Sequence, residues 1–167
     1  KWNPAIKTSA DQKALLQGLL ENKIDTIATD HAPHKLEEKR NPYLQAPSGS
    51  PMIQHSLVLM MEFYHKGEIS LETIVEKMCH APAVCYNIEK RGYIREGYHA
   101  DLVIVDPQSP WKVNKKNILY KCNWSPIEGR NLKSKITHTF VNGNLVYENG
   151  KIDDRVKGER LRFNGNG

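Results

Sequence analysis

Across its first ninety residues the chain offers one run that reads as a buried β-strand, Ile24-Asp25-Thr26-Ile27-Ala28-Thr29, with helical patterns on both sides. A lone strand cannot satisfy its own backbone, because each N–H and C=O along it needs a partner. Ser9-Ala10-Asp11-Gln12 has capping-box spacing, with Ser9 as N-cap, and opens a helix through Leu20 whose Leu15, Leu16, Leu19 and Leu20 fall on one stripe. Pro51 opens a second helix, with Ile53, Leu57, Met60, Met61 and Tyr64 on its stripe and Gly67 at its end. Ser70 opens a third, expected to bury Ile74, Val75 and Met78 and to end near Pro82, with a short helix through Val84 and Tyr86 after it. Helix, short connection and apolar strand make the repeating step of an α/β barrel, in which every strand has neighbours. A free-standing module would leave residues 24–29 alone, and a whole (β/α)8 barrel takes roughly 250 residues. A chain of 167 residues without an initiator Met is therefore expected to be part of a longer polypeptide.

From Gly92 the character changes. Gly92-Tyr93-Ile94-Arg95-Glu96-Gly97 reads as a turn, and residues 100–106 read as a β run. Thr137-His138-Thr139-Phe140-Val141, then Asn142-Gly143, then Asn144-Leu145-Val146-Tyr147 reads as a hairpin, since Asn-Gly between alternating apolar residues favours a tight I′ turn. A second turn, Asn149-Gly150, leads into Lys151-Ile152, and the residues from Arg155 form a polar tail. The chain thus divides into residues 1–90, 91–154 and 155–167.

Charge and cysteine content remove some function classes. The formal charge is +5, but basic and acidic residues are interleaved, as in Lys35-Leu36-Glu37-Glu38-Lys39-Arg40. A nucleic-acid footprint would need a clustered basic face and a binding motif. Cys79, Cys85 and Cys122 form no C-x-x-C pair, which points to reduced thiols in a cytoplasmic protein. No run approaches the ~18 apolar residues of a membrane span.

The chemistry concentrates at Thr29-Asp30-His31-Ala32-Pro33-His34, directly after the apolar run. Barrel enzymes carry their reacting groups at the C-terminal ends of strands. Asp30 would sit at such an end, with His34 returning over it. This motif, after its Ile-Ala-Thr run, resembles the last metal-site motif of dihydroorotases of the amidohydrolase superfamily. The similarity extends from Lys1-Trp2-Asn3-Pro4 to Phe140-Val141-Asn142-Gly143, and includes Gly92 to Val103, a run characteristic of that superfamily.

The resemblance implies the C-terminal end of a (β/α)8 TIM barrel followed by strands of a small β-sandwich domain. It implies reversible cyclisation of N-carbamoyl-L-aspartate to L-dihydroorotate, in de novo pyrimidine biosynthesis, at a binuclear zinc centre. Asp30 would be metal ligand and proton carrier, and Asn3, His34, Ser48 and Gly49 would bind substrate. Both substrates bear a carboxylate, so the site needs donors for an anion. Partners would be the small-molecule substrate, the rest of its own polypeptide and, as is common in the family, a second copy of it.

The sequence also departs from the family pattern. No His-x-His occurs in the chain, so the first metal ligands, the bridging carboxylated lysine and two further histidines would lie upstream. One aspartate cannot hold a catalytic zinc, which takes about three protein ligands, so the chain alone is expected to be inactive. Ala46-Pro47-Ser48-Gly49-Ser50-Pro51-Met52 lacks the phenylalanine and second glycine common in this loop. Two rivals stand beside the main reading: a hydantoinase-like or allantoinase-like cyclic amidohydrolase, against which His34 counts, and a non-catalytic scaffold that keeps the fold. His31 is expected to support the loop, while Asp101, His55, His65, His80, His99 and His138 read as structural or solvent-facing.

Overall fold

A computed structural model of the chain describes residues 1–165. Helix α1 (Ser9–Leu20) is capped by Thr8, not Ser9. The Thr8 Oγ1 accepts from the Asp11 amide at 3.2 Å, and the Asp11 carboxylate accepts from the Thr8 amide at 2.8 Å. The acid at 11 decides which hydroxyl caps, because a reciprocal box needs an acceptor three residues on. Hydrogen bonds from the Thr8 hydroxyl and amide hold the Asp11 carboxyl below its usual range. On the expected stripe only Leu19 is buried; Leu15 and Leu20 are exposed.

Residues 24–29 run extended, but among the described residues no strand pairs with them. A ladder needs a second segment, and here a single residue, Lys77, supplies partners instead, one from its backbone and one from its side chain. The Ile27 amide donates to the Lys77 carbonyl at 3.0 Å, and the buried Lys77 ammonium donates to the Ile24 carbonyl at 2.7 Å. Ile24 and Ile27 pack on a core of Leu19, Met61, Ile69 and Ile74.

The polar loop beyond His34 contains one short helix, α2 (Leu36–Lys39). A 3₁₀ turn (Ile53–His55) then leads into α3 (Ser56–His65), which joins the two cores of the molecule. Its Met61 lies in the core just described, and its Val58 lies in a second, with Val113, Ile118, Tyr120 and Leu132. Ile53, at the head of the expected stripe, is exposed. Gly67, at φ 71°, ends this helical segment.

Helices α4 (Leu71–Val75) and α5 (Ala81–Cys85) are joined by a π turn (Glu76–His80), with no break between them. Pro82 accounts for the widened turn. It has no N–H, and in a regular helix its ring would meet the carbonyl four residues back. The Ala81 amide accordingly reaches five back, to Glu76. Ile74, Lys77 and Ala83 are the buried residues here, whereas Val75 is exposed, contrary to expectation.

Strands β1 (Leu102–Asp106), β4 (Lys135–Val141), β5 (Asn144–Glu148) and β6 (Lys151–Ile152) form an antiparallel sheet in the order β1-β4-β5-β6. Both Asn-Gly pairs make the expected turns, with φ 50° and 80° at Asn142 and Gly143 and 46° and 95° at Asn149 and Gly150. Asp101 ties the first of them down, accepting from the Arg91 guanidinium and, at 2.8 Å, from the Asn142 amide. Between β1 and β4 lies a pair that periodicity does not reveal, β2 (Trp111–Lys112) with β3 (Asn131–Leu132). The polar tail returns to the body: the Glu89 amide donates to the Arg162 carbonyl at 2.9 Å, and the Asn164 amide to the Asn87 carbonyl at 2.8 Å. Among the described residues no helix is long and apolar enough to cross a membrane.

Candidate active site

Asp30 adopts φ 43° and is exposed. Left-handed backbone is uncommon outside glycine, and Asp is one of the few residues that tolerates it. Residues held so tend to cluster where function requires a particular geometry. Pro33 sits within the next tight turn, closed by the His34 amide donating to the Ala32 carbonyl at 2.9 Å. His34 is half-buried, and its carbonyl accepts from the Trp124 indole at 2.8 Å.

This corner is stitched to the loop that carries Ser48 and Gly49. The Ala32 amide donates to the Ser50 carbonyl at 3.1 Å. His31 Nδ1 accepts from the Met52 amide at 3.1 Å, which makes the ring a support for the loop and places its proton on Nε2. Gly49 is buried at φ 93°, and a Cβ there would lie 2.5 Å from the Ala32 Cβ. Its amide donates to the Lys1 carbonyl at 3.1 Å, which draws in the segment that bears Asn3. Asn3 is exposed and Ser48 half-buried. Three stretches far apart in sequence, around Asn3, Asp30–His34 and Ser48–Gly49, are thus fastened together by main-chain bonds.

Behind the loop lies a buried polar group. Tyr120 Oη accepts from the Gln54 amide at 3.0 Å and lies 3.1 Å from His55 Nδ1. His55 is fully buried, near Trp111 and Ser125, and its Nε2 has no partner. Burial pushes its imidazole down to about 4 and the Tyr120 phenol up to about 12, so both are neutral at ordinary pH. The Tyr120 ring centroid is 5.5 Å from that of His31, which links this buried group to the Asp30 corner.

Sequence reasoning missed Tyr120, Trp124 and Lys39, whose Nζ contacts three carbonyls around the loop. The first two lie in a stretch without periodicity; Lys39 lies in a mixed charge run that reads as a solvated face.

The donor set does not make a metal centre by itself. Among the described residues no group of three or more His, Cys, Asp or Glu is placed to hold a metal ion. Asp30 offers one exposed carboxylate, whereas a catalytic zinc takes about three protein ligands.

Comparison with known proteins agrees with the motif. The family model described as "Amidohydrolase family" matches residues 6–146. The dihydroorotase of Clostridioides difficile (strain 630) is 38% identical over 148 residues, 88% of this chain and 34% of that protein. The dihydroorotase of Pyrococcus horikoshii is 34% identical over 166 residues, 99% of this chain and 38% of that protein. Among solved structures, an L-hydantoinase (dihydropyrimidinase) from Arthrobacter aurescens matches with TM-score 0.83 and 30% identity, covering 91% of this chain and 35% of that one. A D-hydantoinase at 22% identity and TM-score 0.81 shares the fold. The chain spans about a third of the length of the curated relatives it matches.

Proposed function

The chain belongs to the amidohydrolase family, and on that premise we propose that it is the C-terminal portion of a dihydroorotase. The observation that carries this reading is the Asp30–His34 corner, with its aspartate turned out at φ 43° and its loop fastened to the segments bearing Asn3 and Ser48. The similarity to dihydroorotases at 34% to 38% identity supports the reaction. In the same reading residues 1–90 close a (β/α)8 barrel, residues 91–154 belong to a small β-sandwich, and the polypeptide works in the cytoplasm. The exposed Leu15 and Leu20 on α1 are the kind of surface that further barrel elements would cover.

Opening L-dihydroorotate breaks a C–N bond: water adds to the ring carbonyl, and the departing nitrogen takes a proton. Asp30 is the group that moves this proton, accepting it from the attacking water on a carboxylate oxygen and delivering it to nitrogen. Ring closure of N-carbamoyl-L-aspartate runs the same path backwards. In this reading His34 and Asn3 donate to the substrate carboxylate, and the Ser48–Gly49 main chain faces the ring. Zinc would take its remaining ligands from the rest of the polypeptide; among the described residues this chain does not build that site by itself.

The test is dihydroorotate hydrolysis, followed by loss of ultraviolet absorbance, on the full-length zinc-loaded polypeptide beside Asp30→Asn. Turnover is expected from the parent and a loss of at least about a hundredfold from the variant. The hydantoinase-like alternative is favoured by the solved structures the chain matches. A parent that opens hydantoin or dihydropyrimidine rings and leaves dihydroorotate untouched would establish it instead.

A further inference from the structure

The structure assigns to Lys39 a role the motif does not: we propose that its ammonium is the clamp that positions the substrate-binding loop against the Asp30 corner. This deepens the dihydroorotase reading and rests on it for the identity of the substrate. Lys39 ends α2, which begins two residues after His34 and is closed at its start by the Glu38 carboxylate accepting from the Lys35 amide at 2.7 Å. The helix is a single turn, and it returns the lysine to the loop it has just left.

There Lys39 Nζ donates to three carbonyls, Gly49 at 2.6 Å, Pro47 at 2.7 Å and Lys1 at 3.2 Å. Among the described residues no carboxylate pairs with it. An ammonium has three N–H directions and no acceptor, so this arrangement uses all of it. The Pro47 carbonyl belongs to the peptide before Ser48 and the Gly49 carbonyl to the peptide after Gly49, so the ammonium holds the peptide on each side of the Ser48–Gly49 pair. The carbonyl of Lys1 stands two residues from Asn3, and it also takes the Gly49 amide. Gly49 in turn packs on Ala32, two residues beyond Asp30.

One cation therefore sets the spacing between the donors proposed for substrate and the carboxylate proposed to move its proton. Without it, the Pro47 and Gly49 carbonyls would lose their shared donor, and only the Gly49 amide would still bond the Ser48–Gly49 pair to the segment bearing Asn3. Lys39 touches no reacting atom in this account, so it is a positioning residue. Its loss would weaken binding more than it slows the bond-breaking step.

The experiment compares the full-length polypeptide with Lys39→Met and Lys39→Gln by steady-state kinetics on dihydroorotate. For Lys39→Met the expected result is KM raised by about tenfold or more, with kcat changed by less than about threefold. Lys39→Gln keeps N–H donors and should fall between. KM does not depend on the fraction of protein that is folded, so a merely structural lysine would lower stability and leave KM alone. Unchanged KM in Lys39→Met overturns the clamp.

Amide hydrogen exchange on the same proteins separates this idea from the reaction assigned above. Faster exchange at Gly49 and Ala32 in Lys39→Met, with β4 and β5 unaltered, supports the clamp. Should the parent fail to turn over dihydroorotate, the reaction is wrong, and exchange at those two amides decides the clamp alone. Undiminished protection there would sink it.

Discussion

Gly49 and His55 show how differently single residues advertise themselves. Gly49 was singled out through the family resemblance, as a substrate-binding residue of its loop, and glycine permits main chain to come close to a neighbour. The structure supplies the neighbour, the Ala32 methyl, at a distance no Cβ would tolerate. His55 gave no such signal: its partner Tyr120 lies 65 residues away, across a stretch without periodicity. Its burial carries a pH consequence. The folded imidazole titrates at about 4 against 6.5 when exposed. Between those values the unfolded chain binds a proton that the folded chain refuses, so this contribution is complete above pH 6.5 and is lost as pH falls toward 4. The loss amounts to about 3 kcal/mol. Urea midpoints measured from pH 7 down to 4.5 should drop for the parent and drop less for His55→Phe; identical slopes would show that His55 does not carry the effect.

At the level of elements, local chemistry was easiest to read where consecutive residues decide the outcome. The Asn142-Gly143 and Asn149-Gly150 turns formed as expected because left-handed backbone at both positions is a property of those two residues. The start of α1 was read one residue late, since two adjacent hydroxyls could each cap it and the choice rests on which acid can reach back. That choice has a direct test by thermal or urea unfolding. Asp11→Ala should cost about 1 kcal/mol by opening the box with Thr8, while Gln12→Ala should cost close to nothing. The reverse result would restore Ser9 as the cap. Residues 24–29 mark the opposite case. Their composition is that of a strand, but pairing is decided elsewhere in the chain, and here the partners are Lys77 and its backbone. The β2–β3 pair was invisible because two-residue strands leave no period to detect.

Across the whole molecule, α3 joins two cores, and Trp2, Ile6, Leu15 and Leu20 remain exposed. That pattern, with one candidate metal ligand at the Asp30 corner, leads to a prediction about the 167-residue chain studied by itself. After dialysis against metal-free buffer it should retain far less than one zinc per chain, as read by atomic absorption. Stoichiometric zinc would mean that the ligands lie within it and would remove the need for the rest of a polypeptide. The sequence by itself determined most of the helices and the Asn-Gly turns, because each depends on neighbouring residues whose propensities act locally. Tertiary structure alone decided that Lys39 would gather three carbonyls, that Tyr120 would reach His55, and that Gly49 would close on Ala32. Those contacts join residues from 8 to 65 positions apart, and which of many polar groups meet there is settled only when the intervening chain has packed.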